Sequence, residues 1–293
     1  MSYNIYRMKT SSIQLNSSNV VPNSNNSKLE YTFPVPKLIT DSSIALHSLQ
    51  MYYSWFNINA SLYNNHQFKY KWWSNTGVLN ETFKVNIPTG FYTISTLNLF
   101  FQSVMLSNGH YLYDSELKKN IFFMELIANE TYYSIQLNIL PMYALGTAPI
   151  QIIKNGSWEY PTTQSTPIFQ ILSSNNFKEL VGFIPGSYPS NVKTTLYQHL
   201  SDYTPQLSPV SSVVMRCNMV KNDDALPNDV LYSFTSGDTA FGNIINEKPN
   251  ELYFSEISSG TFNKIQISLY DQLFNPIHIN DPQLLMTLLI KEN

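Results

Sequence analysis

Hydrophobic and polar residues alternate along much of this chain in short runs of the kind that form β-strands. The clearest run covers 43–57, where apolar residues occupy every second position except for one slip between Leu46 and Leu49. Such a slip predicts a β-bulge. Further strands are predicted at 68–73, 82–87, 121–128, 131–140, 212–220, 230–234, 251–257, 264–270 and 283–291. Many short strands joined by long loops indicate an all-β sandwich or barrel of antiparallel strands.

One segment follows a helical period instead. Apolar residues recur there at three- and four-residue steps, at Ile94, Leu97, Phe100, Phe101, Val104 and Met105. This spacing predicts a single amphipathic helix at about 94–107. Thr93 or Ser95 can cap its start, and Gly109 can end it. Because a lone helix is stable only when its apolar stripe is covered, we expect it to be a scaffold element over one end of the sandwich.

The first 30 residues are polar and rich in Asn and Ser. This composition predicts a flexible N-terminal arm over 1–30. An arm that becomes ordered on a neighbouring subunit is an equal alternative. Its apolar residues, which would be buried in that contact, are Ile5, Tyr6, Ile13 and Leu15.

Residues 31–293 are predicted to form one domain. Two stretches rich in Pro, Ser and Tyr, 141–168 and 185–210, indicate long surface loops that are candidates for subunit contacts. A small insertion, or a second small β domain, is possible within 141–210.

The low charge of the chain argues against one functional class, the nucleic-acid-binding proteins. Charged residues make up 13 % of the chain, about half the usual ~25 %. The net charge is −3, and the only arginines are Arg7 and Arg216. No run of lysines is longer than Lys118-Lys119. Since nucleic-acid-binding proteins normally carry a basic face, we expect no direct binding of nucleic acid.

The residues offer no catalytic constellation. The five histidines are scattered without metal-binding spacing, and the one cysteine, Cys217, lies in an apolar run that predicts a buried thiol. No nucleophile elbow or phosphate-binding loop occurs, and no carboxylates are paired by spacing. We therefore predict no enzyme activity, cofactor or metal. The sequence also contains no recognisable signal peptide and no apolar run of the length that spans a membrane, so no membrane insertion is expected.

Aromatic residues, 14 % of the chain, have two interpretations. Trp55, Trp72, Trp73 and Trp158 could stack on sugar rings, as in a lectin-like sandwich for host attachment. The favoured interpretation places the tryptophans in the core and at subunit interfaces, where aromatic residues are enriched. With the residues of the arm, the candidate interface residues are Ile5, Tyr6, Ile13, Leu15, Trp72, Trp73, Trp158 and Tyr188.

Four segments together carry a family resemblance. A strand leads into Pro88-Thr89-Gly90-Phe91-Tyr92 and the helix, and similar segments follow at 177–189, 212–234 and 265–282. In this order the chain resembles the penton (minor capsid) proteins of virophages and of related Polinton-type and adintovirus-like elements. The resemblance covers residues 80–293 and is one of pattern, so no catalytic positions are carried over.

The resemblance implies a jelly-roll β-sandwich with one amphipathic helix and long loops. It also implies a structural virion protein that forms pentamers at the five-fold vertices of an icosahedral capsid. The expected partner is the double jelly-roll major capsid protein, with assembly in a cytoplasmic viral factory or the nucleus. The main alternative is the lectin-like module, and a glycoside hydrolase or lyase is the least favoured function.

Overall fold

A computed structural model describes residues 9–292 of the chain. The described chain forms two compact units. Unit 1 contains residues up to Trp55 and those from Val210 onward, and unit 2 is Phe56–Pro209. Unit 2 is therefore inserted into the sequence of unit 1.

The elements follow one another in this order. Unit 1 begins with strands β1 (Lys9–Asn16), β2 (Lys28–Ile39) and β3 (Ser42–Tyr52), with a 3-10 turn at Ser17–Asn19. Unit 2 contains β4 (Gln67–Trp72), β5 (Glu81–Asn86), α1 (Ile94–Ser107), β6 (Leu112–Asp114), β7 (Lys119–Ile121), β8 (Met124–Asn129), a 3-10 turn (Glu130–Tyr132), β9 (Ser134–Ile139), β10 (Ile152–Lys154), β11 (Ile168–Ile171), α2 (Phe177–Val181), β12 (Gly186–Tyr188) and β13 (Tyr197–Leu200). Unit 1 resumes with β14 (Val213–Cys217), β15 (Val230–Phe234), β16 (Ile244–Glu247), β17 (Ser255–Glu256), β18 (Gly260–Tyr270) and β19 (Leu284–Glu292).

Unit 1 is built from two antiparallel four-stranded sheets. One has the order β1-β19-β3-β16, with the short β17 also paired to β3, and the other has the order β15-β14-β18-β2. If the eight long strands are numbered along the chain, these orders read 1-8-3-6 and 5-4-7-2. This is the strand order of a jelly roll, a sandwich of two interlocked Greek keys. The predicted all-β jelly-roll class is confirmed, and the whole of unit 2 lies in the connection between its third and fourth strands.

The slip in the β3 pattern is a bulge. Thr287 of β19 pairs with Ser48, and the next residue, Leu288, pairs with Leu46, so that His47 is the extra residue. The bulge keeps Leu46 and Leu49 in the core on either side of it.

The N-terminal segment differs from the expected arm. Residues 9–16 pair along their whole length with β19, from Lys9 opposite Glu292 to Asn16 opposite Leu285. Leu15 is fully buried and Ile13 is half-buried within unit 1. The described part of 1–30 is therefore an edge strand, a 3-10 turn and the start of β2, because alternation at Ile13 and Leu15 outweighs the Asn/Ser-rich composition. Ile5 and Tyr6 lie outside the described residues.

Unit 2 has its own core. Its sheets have the orders β12-β11-β4-β5, β13-β9-β8 and β10-β6-β7, and all their pairings are antiparallel. The predicted division, a single domain over 31–293 with a small insertion inside 141–210, is thus replaced by a jelly roll with an insertion at 56–209. No shift in composition marks the boundary after Trp55, since strands with the same pattern lie on both sides of it.

Helix α1 belongs to unit 2 and packs within its core. The side chain of Thr93 accepts a hydrogen bond from the backbone N–H of Thr96, so Thr93, and not Ser95, caps the helix. The buried face of α1 packs on strand β4 through Phe101. The rings of Phe101 and Phe68 meet edge-on, with centroids 4.9 Å apart. Gly109 ends the turn after the helix with φ +69°, and a Cβ there would lie 2.8 Å from the Cα of Gly156. Only glycine fits this position without strain.

Candidate interaction surfaces

Three of the predicted interface residues are core residues of unit 2. Trp72, Trp73 and Trp158 are 0 %, 2 % and 3 % exposed. Their rings pack against one another, with centroids 4.9 Å apart for Trp72–Trp73 and 5.4 Å apart for Trp72–Trp158. Because the rings are covered by their own chain, this cluster can neither line a subunit interface nor stack on a sugar. The prediction that these residues contact another molecule is wrong for the described fold.

Tyr188 is also internal. Its hydroxyl donates a hydrogen bond to the carbonyl oxygen of Ile184 at 2.7 Å and lies 3.1 Å from Oδ2 of Asp202. Burial, followed by the Asp202 carboxylate, raises the pKa of the Tyr188 phenol well above its ordinary value. Tyr188 therefore ties the loop after α2 to residue 202 within unit 2 and is a poor candidate for an interface.

A buried histidine lies beside the tryptophan cluster. Nδ1 of His110 is 2.8 Å from the hydroxyl of Tyr70, which also accepts a hydrogen bond from Nδ2 of Asn108. Trp72 stacks on the imidazole at 4.9 Å with an interplanar angle of 17°. Since Asn108 donates to the hydroxyl, the hydroxyl proton remains for Nδ1 of a neutral imidazole.

This environment shifts the pKa values of His110 and Tyr70. Burial lowers the pKa of His110 to about 4 and raises the pKa of Tyr70 to about 12. Both groups are therefore neutral over the physiological range, as expected of a hydrogen-bonded pair in an apolar core. The His110 pair supports the fold of unit 2, and its geometry does not provide a catalytic base.

Three further observations concern the cysteine, metal binding and membrane helices. Burial raises the pKa of the Cys217 thiol to about 11, which confirms a buried thiol within β14. Residues 9–292 contain no group of three His, Cys, Asp or Glu side chains that could hold a metal ion. No helix in this part of the chain is long and apolar enough to cross a membrane.

Unit 1 exposes several large apolar side chains, and some of them lie on the edge strand β2. Along β2, Leu29 is fully buried, but Val35 and Leu38 are 74 % and 71 % exposed. Tyr31 and Phe33 lie between Leu29 and Val35 in the sequence. Their rings contact each other edge-on, with centroids 5.7 Å apart. We call the set Tyr31, Phe33, Val35 and Leu38 the β2 surface.

The local sequence explains why this strand is an edge. Pro34 and Pro36 have no N–H to donate, so this part of β2 cannot lie between two hydrogen-bonded strands. The pairing with β18 is irregular opposite these prolines, where the register shifts between Phe262 and Lys264. Sequence reasoning missed the β2 surface, although an apolar run interrupted by two prolines at every second position is a signal for an exposed edge strand.

Similarity to known proteins is found in structure and not in sequence. No protein-family model matches the chain, and no curated protein matches it by sequence. Among solved structures, it is similar to the crystal structure of the selenomethionine-labelled mavirus penton protein, with 10 % identity, a TM-score of 0.44, and coverage of 97 % of this chain and 98 % of that one. A cryo-EM structure of the Sputnik virophage matches with 11 % identity, a TM-score of 0.40 and coverage of 97 % of both chains. The jelly-roll assignment rests on the strand order of unit 1.

Proposed function

We propose that this chain is a structural virion protein, a penton (minor capsid) protein that forms pentamers at the five-fold vertices of an icosahedral capsid. The observation that carries the proposal is the strand order of unit 1, β1-β19-β3-β16 against β15-β14-β18-β2. Jelly rolls of this type are a common building unit of viral shells. The resemblance of four sequence segments to virophage penton proteins supports the same role.

The β2 surface supports self-association. Large exposed apolar patches are uncommon on monomeric proteins and mark interaction sites. Val35 and Leu38, two exposed apolar residues of an edge strand, are candidates for such a site on unit 1. Five copies related by a rotation make head-to-tail contacts that close into a ring. Each such contact joins two different patches, and the β2 surface would be one of the two.

The remaining contacts are assigned to the inserted unit. The loop at 141–168 exposes Leu145 and the fully exposed Ile150, and the loop at 185–210 exposes Tyr203. These side chains provide apolar area for neighbouring subunits or for the double jelly-roll major capsid protein. Localisation in the virion, and assembly in the host cell, follow from this role.

Native mass spectrometry of the purified chain tests the proposal. We expect a five-copy species, and we expect the double variant Val35→Asp/Leu38→Asp to be mainly monomeric, because a charge buried at an interface without a partner is costly. The matched control is Leu226→Asp/Leu273→Asp, which changes two similarly exposed apolar residues of unit 1. The control should retain the oligomer.

Two outcomes would contradict the proposal. One is a strictly monomeric wild-type chain at high concentration that also fails to bind shell proteins. The other is a stable oligomer of a copy number that cannot occupy a five-fold vertex. If the wild type forms pentamers but the β2 variant does too, the role stands and the β2 surface is the wrong contact.

A further inference from the structure

One sheet face of unit 2 gathers lysines that are separate in the sequence. In the sheet β12-β11-β4-β5, Phe68, Tyr70 and Trp72 point into the core. The alternate residues of β4 therefore lie on the opposite, outer face, and they include Lys69 and Lys71.

The neighbouring strand adds a third lysine. Lys84 of β5 is directly opposite Lys69, and Lys71 is opposite Thr82. Residues directly opposite on antiparallel strands have Cβ atoms about 5 Å apart, and diagonal neighbours are about 7–8 Å apart. The three lysines thus form a compact triangle on the outer face of this sheet, which we call the lysine face.

The lysine face has no compensating acid. Its other positions on the four strands are uncharged, namely Gln67, Thr82, Asn86, Ile168, Gln170 and Ser187. Within residues 9–292, none of the three ammonium groups lies within 4.0 Å of a carboxylate, although seven other basic side chains do. Like charges directly opposite on a sheet are destabilising. The Lys69–Lys84 pair therefore lowers the stability of unit 2, which is a reason to look for an anionic ligand.

The uncharged neighbours favour phosphate as that anion. Gln, Asn, Ser and Thr side chains commonly donate hydrogen bonds to phosphate oxygens, as lysine does. An acidic protein partner is favoured less, because the buried centres of protein interfaces are rich in aromatic residues and poor in lysine. The lysine face offers Ile168 as its one large apolar side chain.

We propose that the lysine face binds the phosphate backbone of a nucleic acid strand without sequence preference. A nucleic acid carries one charge for each ~3.4 Å of axis on each strand, so neighbouring phosphates fall within reach of a triangle of this size. The expectation of no nucleic-acid binding rested on the net charge of −3, on the two arginines and on the lack of lysine runs. Strand pairing brings together lysines that are separate in the sequence. This inference rests on the lysine face alone and does not depend on the capsid role.

Fluorescence anisotropy with a labelled single-stranded oligodeoxythymidylate tests the proposal. If binding neutralises about three phosphates, a plot of the logarithm of the binding constant against the logarithm of the salt concentration should have a slope of about −2. Binding should then weaken about tenfold or more between ~50 and ~200 mM salt. The triple variant Lys69→Gln/Lys71→Gln/Lys84→Gln should lose at least tenfold in affinity at low salt and should show a slope near zero.

The matched control is Lys118→Gln/Lys193→Gln/Lys248→Gln, which removes the same charge from three exposed lysines that are scattered in the sequence. The control should bind within about threefold of the wild type. Equal losses in the two variants would contradict the proposal, as would no binding by the wild type at low salt. Poly-glutamate is the second probe. The phosphate assignment is wrong if poly-glutamate competes as well as the oligonucleotide, and if the control variant binds poly-glutamate but the lysine-face variant does not. The ligand is then a carboxylate-rich protein.

Discussion

At the scale of single residues, the chemistry of unit 2 centres on neutral groups in an apolar core. His110, Tyr70 and Asn108 satisfy one another by hydrogen bonds, and Trp72 covers the imidazole. A histidine that must stay neutral in the folded state makes stability depend on pH.

The direction of that dependence follows from the lowered pKa of His110. In the unfolded chain the imidazole binds a proton below about 6.5, whereas in the folded chain it does so only below about 4. Stability is thus fully present above pH ~6.5 and is lost as the pH falls toward 4. Between pH 7.5 and 5 we expect unit 2 to lose about 2 kcal/mol from this group, measured by urea unfolding with tryptophan fluorescence.

The His110→Gln variant should lack this acid-dependent loss, although it is less stable overall. The control His278→Gln, a half-buried histidine of unit 1, should retain it. A wild-type pH profile that matches that of His110→Gln would show that the imidazole is not the responsible group.

Cys217 gives a second prediction at this scale. Because burial raises the pKa of its thiol and excludes reagents, the native chain should not react with Ellman's reagent at neutral pH. One thiol should react once the chain is unfolded in guanidinium chloride. Rapid reaction of the native chain would mean that β14 is open to solvent.

At the scale of elements, the helix was the most predictable part of the chain. Its stripe and its end at Gly109 could be read directly from spacing, and structure decided between the two possible caps. We expect Thr93→Ala to destabilise unit 2 by about 1 kcal/mol, because it removes the acceptor for the N–H of Thr96. Ser95→Ala is the matched control and should change stability by only a few tenths of a kcal/mol. Thermal or urea unfolding of the two variants measures the difference, and a larger effect at Ser95 would contradict the cap assignment.

Elements that depend on partners could not be predicted. β1 has a polar sequence and is a strand because β19 pairs with it along its whole length. The predicted strand at 251–257 is reduced to β17, a two-residue pairing with β3. Helix α2, which ends at Gly182 with φ +74°, is a short element that no sequence pattern predicted. In each case tertiary contacts override a short local pattern.

At the scale of the whole molecule, the fold class could be predicted from the sequence, but the division of the chain into two units could not. Strands of unit 1 and unit 2 have the same alternation, so nothing local separates residue 55 from residue 56. Surfaces were predicted least well. The tryptophans were predicted to lie in the core and at subunit interfaces, and the structure buries them. The β2 surface and the lysine face exist only once strands are paired.

The buried tryptophans lead to a prediction that separates the capsid and lectin functions. Trp72→Ala should destabilise unit 2 by about 3–5 kcal/mol, because it removes a fully buried aromatic side chain. The milder Trp73→Phe keeps most of the packing and serves as the comparison. On a glycan array, we expect Trp73→Phe to remove no glycan signal of the wild type. A signal that is present in the wild type and selectively lost in Trp73→Phe would favour a sugar-binding role.

Cryo-microscopy of virus particles that contain this chain tests the central claim most directly. The account predicts five copies around each five-fold vertex, with the jelly roll of residues 9–55 and 210–292 fitted into the density and the β2 surface covered by a neighbouring subunit. Density for the chain at other positions of the shell, or its absence from purified particles, would contradict the account.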